Sequence, residues 1–524
     1  MQKTKKILPL LVLIVFLVFL KSDFRIINEL RCCQDDYDYY SHALTLVQDF
    51  DFDYENQITS KARFYNQDLD KVAPMGFFGS GFLAAPFLLV GVLLDQLLNV
   101  DQEIMNYKKL FYSFSSIFYL LFSIILLIKT LKTNTKKIPI KLVFLGSGLL
   151  YFATERFSMT HVYEAFTISL ILYISDEYYE MDEKSIKFSI LLPIAVLLGF
   201  LVRWTNYYIV FIPLIVSLFK KDNGKKLIKD IYFWISSALS LLIFMLHTIA
   251  IYGFITFSPI GVYGAESERE SLVLNIMKNP FNMILDFIQD TLIVLFTYEF
   301  GLIWFTPIVF IGFVSSLFIF LFQKKSNKFH YLLILACYGQ CFFVISLWDS
   351  TASSFGFRYI FSLIPFSIYI IHKLEFNSFT KYIIKYLIIF SYFSLFAVLF
   401  FESSLGTQLS LSPVLNSFGV EKIYSQPDYL VGLLNSVFIF ESYLKVFATS
   451  FLGAIVIKVS LFLFGYQNLL EILDKFGYAS NTDLLDLITK VNIIESHIFI
   501  ISLLLSVVAT KIFLYRPNVE RISL

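Results

Sequence analysis

Asp35 and Asp36 open a stretch, QDDYDYYSHALTLVQDFDFDYENQITSKARFYN (34–66), that concentrates six aspartates among tyrosines and phenylalanines directly after the first apolar run of the chain. An adjacent carboxylate pair can take a proton from a hydroxyl, hold a divalent cation such as Mg or Mn, or face water. Tyr39, Tyr40, Ala43, Leu44 and Val47 follow at helical spacing, so a helix would seat the pair against an apolar surface. Three other short segments carry reactive types: the turn TERFSMTHVYEA with Glu155, Arg156, His161 and Glu164; Arg203-Trp204-Thr205-Asn206; and WDSTASSFGFRY with Trp348, Asp349 and Arg358. An arginine presents a planar fork of donors that matches phosphate, which makes Arg203 and Arg358 candidate phosphate-binding groups. Each residue also has a plainer reading. The arginines can be anchors at helix ends, Glu164 can answer a helix dipole, and His161 and His42 can be interfacial polar groups with no metal-ligand spacing between them.

The elements that must hold these residues are apolar helices. Of 524 residues, 57% are hydrophobic and 16% charged, with 60 Phe and 32 Tyr and a mean hydropathy of +0.70. A soluble fold of this length has no interior for so much apolar surface. Apolar runs recur along the whole chain, so the expected class is an all-α polytopic membrane protein of about thirteen transmembrane helices. Residues 1–401 read as a catalytic membrane module with a first external loop at 21–106, and residues 402–524 as a later external loop with further helices. The net charge of +1 gives no general attraction to nucleic acid. Four cysteines make no disulfide framework, and Cys337 and Cys341 lie one turn apart inside an apolar run, as buried small hydrophobes do.

Lysines set the orientation. MQKTKK precedes a first apolar run, Ile7 to Leu20, read as an uncleaved span, and the loops Lys129–Lys141, Lys184–Lys187, Lys220–Lys229, Lys324–Lys328 and Lys373–Lys385 all fall on its side. The positive-inside rule places that face in the cytoplasm of a plasma or inner membrane. The count requires Phe82–Leu98 to lie in the outer interface without crossing, and it leaves Arg516 and Arg521 external, against the rule. The acidic pair, the arginines and the aromatics then share the outer face. Polar groups at helix ends on one face suit a site at the outer interface, whereas a transporter would hold them near the midplane on paired repeats, and no internal repeat is visible.

At this point the residues carry a resemblance. QDDYDYYSHALTLVQDFDFDYENQ followed by PMGFFGSGFLAAPFLLVG resembles the first external loop of the glycosyltransferase C superfamily, in particular bacterial relatives of protein O-mannosyltransferases and of the lipid A aminoarabinose transferase. THVYEAF, GFLVRWTN, GLIWFTPIVF and WDSTASSFGFRYIFSLIPF are similar to later family elements in the same order, so the resemblance spans roughly Met1 to Ile371. It departs from the family at the pair itself, Asp35-Asp36 where Asp-Glu is usual, and at Gln34 where Gly is usual. The resemblance implies transfer of a sugar from a polyprenyl-phosphate carrier to a glycan, lipid or protein acceptor at the outer surface. It implies Asp35 as base with Asp36 beside it, Arg358 and Arg203 on the donor phosphate, and Tyr40, Glu164, His161 and Trp348 around the substrate. A lipid-linked glycan flippase and an O-antigen-type polymerase or ligase are the rival classes. The first should keep charges within spans, and the second should keep its main loop late in the chain.

Overall fold

Inside a bilayer each backbone amide must find its partner within its own segment, which leaves the helix as the economical solution for apolar runs. The computed structural model describes residues 34–58, 65–66, 69, 71–99, 107–131, 138–154, 156–180, 186–220, 222, 224–257, 280–297, 301–322, 328–347, 357–401 and 451–514. These are almost wholly helical; the two-residue strands β1 (Tyr65–Asn66) and β2 (Lys71–Val72) pair antiparallel in the loop after the acidic pair. Five described helices are long and apolar enough to cross a membrane, or six if one sharply bent pair counts as a span, and four shorter apolar helices accompany them. Several apolar runs fold as shorter pieces where Pro or Gly interrupts them. The run Pro139–Phe152 is split at Gly146, and Tyr207–Phe219 begins as a 3-10 turn ahead of Pro213.

The site-bearing half is built from α1 (Gln34–Leu44), α2 (Gly79–Leu98), α3 (Tyr107–Thr130), α4 (Ile140–Leu145), α5 (Gly148–Thr154), α6 (His161–Glu180), α7 (Ile186–Val202), α8 (Ile212–Phe219), α9 (Lys225–Lys229) and α10 (Ile231–Tyr252). α2 carries Phe82–Leu98, the run the sequence places in the interface; by length and composition it is also apolar enough to cross, and it packs antiparallel against α3. Tyr119 of α3 donates to the Leu83 carbonyl at 3.0 Å, and the Phe87 ring lies 5.2 Å from Phe118. At the far end of the hairpin the buried Asp95 carboxylate accepts the amides of Tyr107 at 2.7 Å and Lys108 at 3.1 Å, capping the start of α3.

Two glycines let the acidic helix approach. A Cβ at Gly79 would stand 2.4 Å from the Leu201 and Val202 backbone, and one at Gly81 2.4 Å from the His42 Cβ, so the start of α2 wedges between the end of α7 and α1 only because those side chains are missing. α3 and α6 run parallel, tied by Ser115 to Tyr163 at 2.6 Å and by Ser123 to Ser169 at 2.6 Å. The lysine-bearing ends of α6 to α10 gather at the opposite end of the bundle, where Lys220 meets Asp176 and Glu180 and Asp230 caps α10.

The remaining helices are α11 (Pro280–Phe296), α12 (Leu302–Phe305), α13 (Pro307–Phe322), α14 (Lys328–Leu347), α15 (Leu363–Lys373), α16 (Ser378–Phe401), α17 (Phe451–Phe464), α18 (Tyr466–Lys475), α19 (Thr482–Ile493) and α20 (Ser496–Leu514). Cys337 and Cys341 are buried and unpaired in α14, as their apolar setting predicts. α20 lies along α3 in the same direction: the His497 ring is 5.7 Å from Tyr107, while the Lys141 ammonium donates to the Phe513 carbonyl. The chain therefore passes Leu514 at the lysine end. Arg516 and Arg521 lie outside the described residues. The first span at Ile7 to Leu20 and the late loop at 402–450 lie outside them as well.

Candidate functional site

Asp35 and Asp36 fall in the first turn of α1, where unpaired amides favour negative charge. One residue apart on a helix, they face different neighbours. Asp36 is buried: Arg156 Nη2 stands 3.2 Å from its Oδ2, and Ser158 donates to its Oδ1 at 2.6 Å. Arg156 is equally buried, so neither charge could remain there without the other. Asp35 is half-buried and lies on the α1 face that carries Tyr39 four residues on. Its charge reaches the Tyr39 hydroxyl, as do those of Arg203 and Glu164. Burial pushes the Tyr39 pKa up to about 12 against the opposing pull of Arg203, so Tyr39 stays a neutral donor.

Glu164, in the first turn of α6, is held from three sides. Thr160 Oγ1 donates to its Oε1 at 2.8 Å, Asn206 Nδ2 donates to its Oε2 at 3.0 Å, and His161 Nδ1 stands 3.0 Å from Oε1. Arg203 Nε lies 4.0 Å from the same carboxylate, and its Nη1 donates to Tyr39 at 3.3 Å and to Thr160 at 3.2 Å. A carboxylate so saturated orients the arginine and has little capacity to take a proton.

The Arg203 guanidinium sits 4.7 Å from the centroid of the Tyr359 ring, and that of Arg358 sits 5.3 Å from the same centroid, so the two cations are within ~10 Å of one another. Among the described residues the Arg358 side chain makes no hydrogen bond or ion pair, and its Nε is buried without a partner. Arg358 also lies within electrostatic reach of His161, which packs between Phe152 at 4.4 Å and Phe361 at 6.2 Å. Two like charges held this close, one with donors unspent, have the chemistry to receive an anion.

The loop after α1 is fixed from below by His42. The Gly76 carbonyl can only accept, so Nε2 carries the proton and donates to it at 3.2 Å, and Nδ1 accepts from the Tyr54 hydroxyl at 2.8 Å. Burial lowers the His42 pKa to about 3, in keeping with that neutral ring. Tyr252 of α10 also donates to the Gly76 carbonyl, and Asp38 accepts the Met75 amide at 3.2 Å. Gly76 has φ +86, and a Cβ there would press on the Tyr39 ring at 3.0 Å.

The structure thus brings together Asp35, Asp36, Glu164, His161, Arg203 and Arg358. Tyr40 is buried in helix packing instead, edge-on to Tyr112 at 4.8 Å, and its neighbour Tyr39 reaches the arginine. Trp348 lies outside the described residues. For a divalent cation at the pair, Asp36 is a poor donor because a guanidinium already neutralises it, and among the described residues no three metal-ligating side chains converge. Sequence reasoning gave no role to Thr160 or Tyr359; it named Arg156 and Asn206 only as parts of their turns and Tyr39 only as an anchoring side chain. A signal for Tyr39 existed, since a residue four after Asp35 shares its helical face. No protein-family model, curated protein or solved structure matches this chain.

Proposed function

We propose that this chain is an integral-membrane glycosyltransferase that moves a sugar from a polyprenyl-phosphate carrier to an acceptor hydroxyl at the outer face of a cell membrane. The observation that carries the proposal is the unpaired Arg358 guanidinium, held across Tyr359 from Arg203 at the same end of the bundle as a half-buried carboxylate. A lipid-carried phosphate must meet its enzyme at the interface, because its tail stays in hydrocarbon. Asp35 takes the acceptor proton as the acceptor oxygen bonds to the anomeric carbon. The bond from that carbon to the phosphate oxygen breaks, its electron pair stays on the phosphate, and Arg358 with Arg203 meets the charge. Phosphate leaves without an added proton, so one base and cationic support suffice. The proposal extends to topology: lysine-rich loops and N-terminus in the cytoplasm, and about thirteen crossings once the shorter apolar helices and the undescribed runs are counted.

The test is turnover in detergent. Purified protein given polyprenyl-phosphate sugars and candidate acceptors should release polyprenyl phosphate with no sealed compartment present. Substrate movement across vesicles by a protein that is inert in detergent with every donor and acceptor pair would replace the transferase with a transporter.

A further inference from the structure

The C-terminal helices contain an element that the site does not use. α17 is apolar, and after Gly465, at φ +77, the chain turns by 110° into α18. α18 (YQNLLEILDK) is amphipathic: Leu469 is buried, Leu470, Ile472 and Leu473 are partly buried, and Gln467, Asn468, Glu471 and Asp474 are exposed. Aromatic residues bracket it. Phe462, Phe464 and Phe476 are 88%, 49% and 72% exposed, and Tyr466 and Tyr478 stand beside them. Lys458 ties α17 to α19: its ammonium donates to the Val491 carbonyl at 3.3 Å and to that of Ile494, at the end of α19 where a cation also answers the helix dipole, and the Tyr466 hydroxyl of α18 lies 3.3 Å from Thr489 Oγ1 of α19. α19 leads into α20 beside Tyr107, so this corner sits at the end of the bundle that holds the acidic pair.

We propose that α18, with Phe462, Phe464 and Phe476, is a membrane-surface anchor lying in the lipid interface at the site end of the bundle. α17 is apolar along its 14 residues, and α18 turns away from it by 110° with its charged residues exposed, which puts the bend at the depth where hydrocarbon meets headgroups. Aromatic side chains concentrate at that depth, and a helix perpendicular to the span lies along it. The partner is a zwitterionic lipid surface, because Glu471, Asp474, Asp483 and Asp486 outnumber Lys475 and Lys490 across α18 and α19 and offer no attraction to anionic headgroups. The leucine face of α18 packs against the protein core, so insertion of the exposed Phe462, Phe464 and Phe476 holds it. The inference is independent of the transferase proposal, since it concerns lipid contact and not turnover.

Phe476→Trp and, as a second position, Phe464→Trp are reconstituted as full-length protein in phosphatidylcholine vesicles, and the emission in excess of wild type is read with dibrominated lipid or aqueous iodide as quencher. Expected is loss of the added emission with lipid brominated near the headgroup, little loss with iodide, and the reverse for Glu471→Trp on the polar face. Adding anionic lipid should leave the quenching unchanged. Iodide quenching without lipid quenching at both phenylalanine positions would overturn the proposal. Insensitivity to both quenchers, which marks a cover made of protein, would overturn it equally.

Discussion

The two ends of the α6 helix carry similar charges and treat them differently. At its lysine end, buried Asp176 takes Lys220 at 3.1 Å and Lys373 at 4.0 Å, and Lys220 continues to Glu180 at 2.6 Å. Nearby, Asp230 collects the hydroxyls of Tyr178 at 2.9 Å and Ser189 at 2.5 Å as well as the first amides of α10. At the other end Glu164 is equally saturated, yet Arg358 beside it has no described counter-ion. The lysine network closes on itself, with long flexible side chains reaching out to water. The arginine cluster shares one tyrosine ring, and half-buried Arg358 keeps donors that water or an anion can meet.

The largest effect that could break this comparison is at the buried pair. Arg156→Met removes one partner of Asp36 and should lower stability by about 3–5 kcal/mol, read as thermal unfolding in detergent, with Asp36→Asn in the same chain recovering much of the loss. If Arg156→Met alone is neutral, the pair is not the strut that the geometry implies. Asp35→Asn should leave unfolding nearly unchanged and reduce sugar transfer by about 10²-fold or more. Asp176→Asn, at the lysine end, should do the opposite, lowering stability by about 1–3 kcal/mol while turnover per folded molecule holds. Equal activity loss in both would erase the distinction between the two ends.

Arg358→Lys sharpens the comparison further. It keeps the charge and loses the two-donor geometry, so donor use should drop by about tenfold, the effect of one charge-assisted hydrogen bond, whereas Lys220→Arg at the other end should be tolerated. Free replacement of Arg358 by Lys would make it an anchor and remove the anion receptor. The smallest expected effect belongs to His42. Its folded pKa, about 3, lies below the ordinary 6.5, so the unfolded chain binds the proton first; the stability of the neutral clamp is present above pH 6.5 and is lost as pH falls from 6.5 towards 3. Amide exchange in residues 71–78 should accelerate over that window, and His42→Gln should flatten the dependence. An unchanged slope in the variant would assign the acid sensitivity elsewhere.

Tyr39 and Tyr40 show where legibility ended. Both were visible as aromatic neighbours of the acidic pair, and a single helical step decided that one meets Arg203 while the other packs on Tyr112. Arg156 was visible in its turn, but its partner is 120 residues earlier, and no local pattern couples positions at that separation. The hydropathy of Phe82–Leu98 is as strong as that of a span, and its antiparallel packing along α3 could not be read from the sequence.

By itself the sequence determined that the chain is helical, with helices apolar enough to cross a membrane, because 57% hydrophobic composition falls in helix-length runs. It also determined where charge accumulates, since lysine-rich and arginine-acid segments alternate along the chain and must emerge at opposite ends. Which carboxylate is locked and which remains half-buried, which arginine is satisfied and which is left open, and at which end the last helix finishes were decided by tertiary structure alone. Those outcomes depend on distances between residues far apart in the chain. Charge balance in a buried site is a property of the assembled neighbours and not of any one segment.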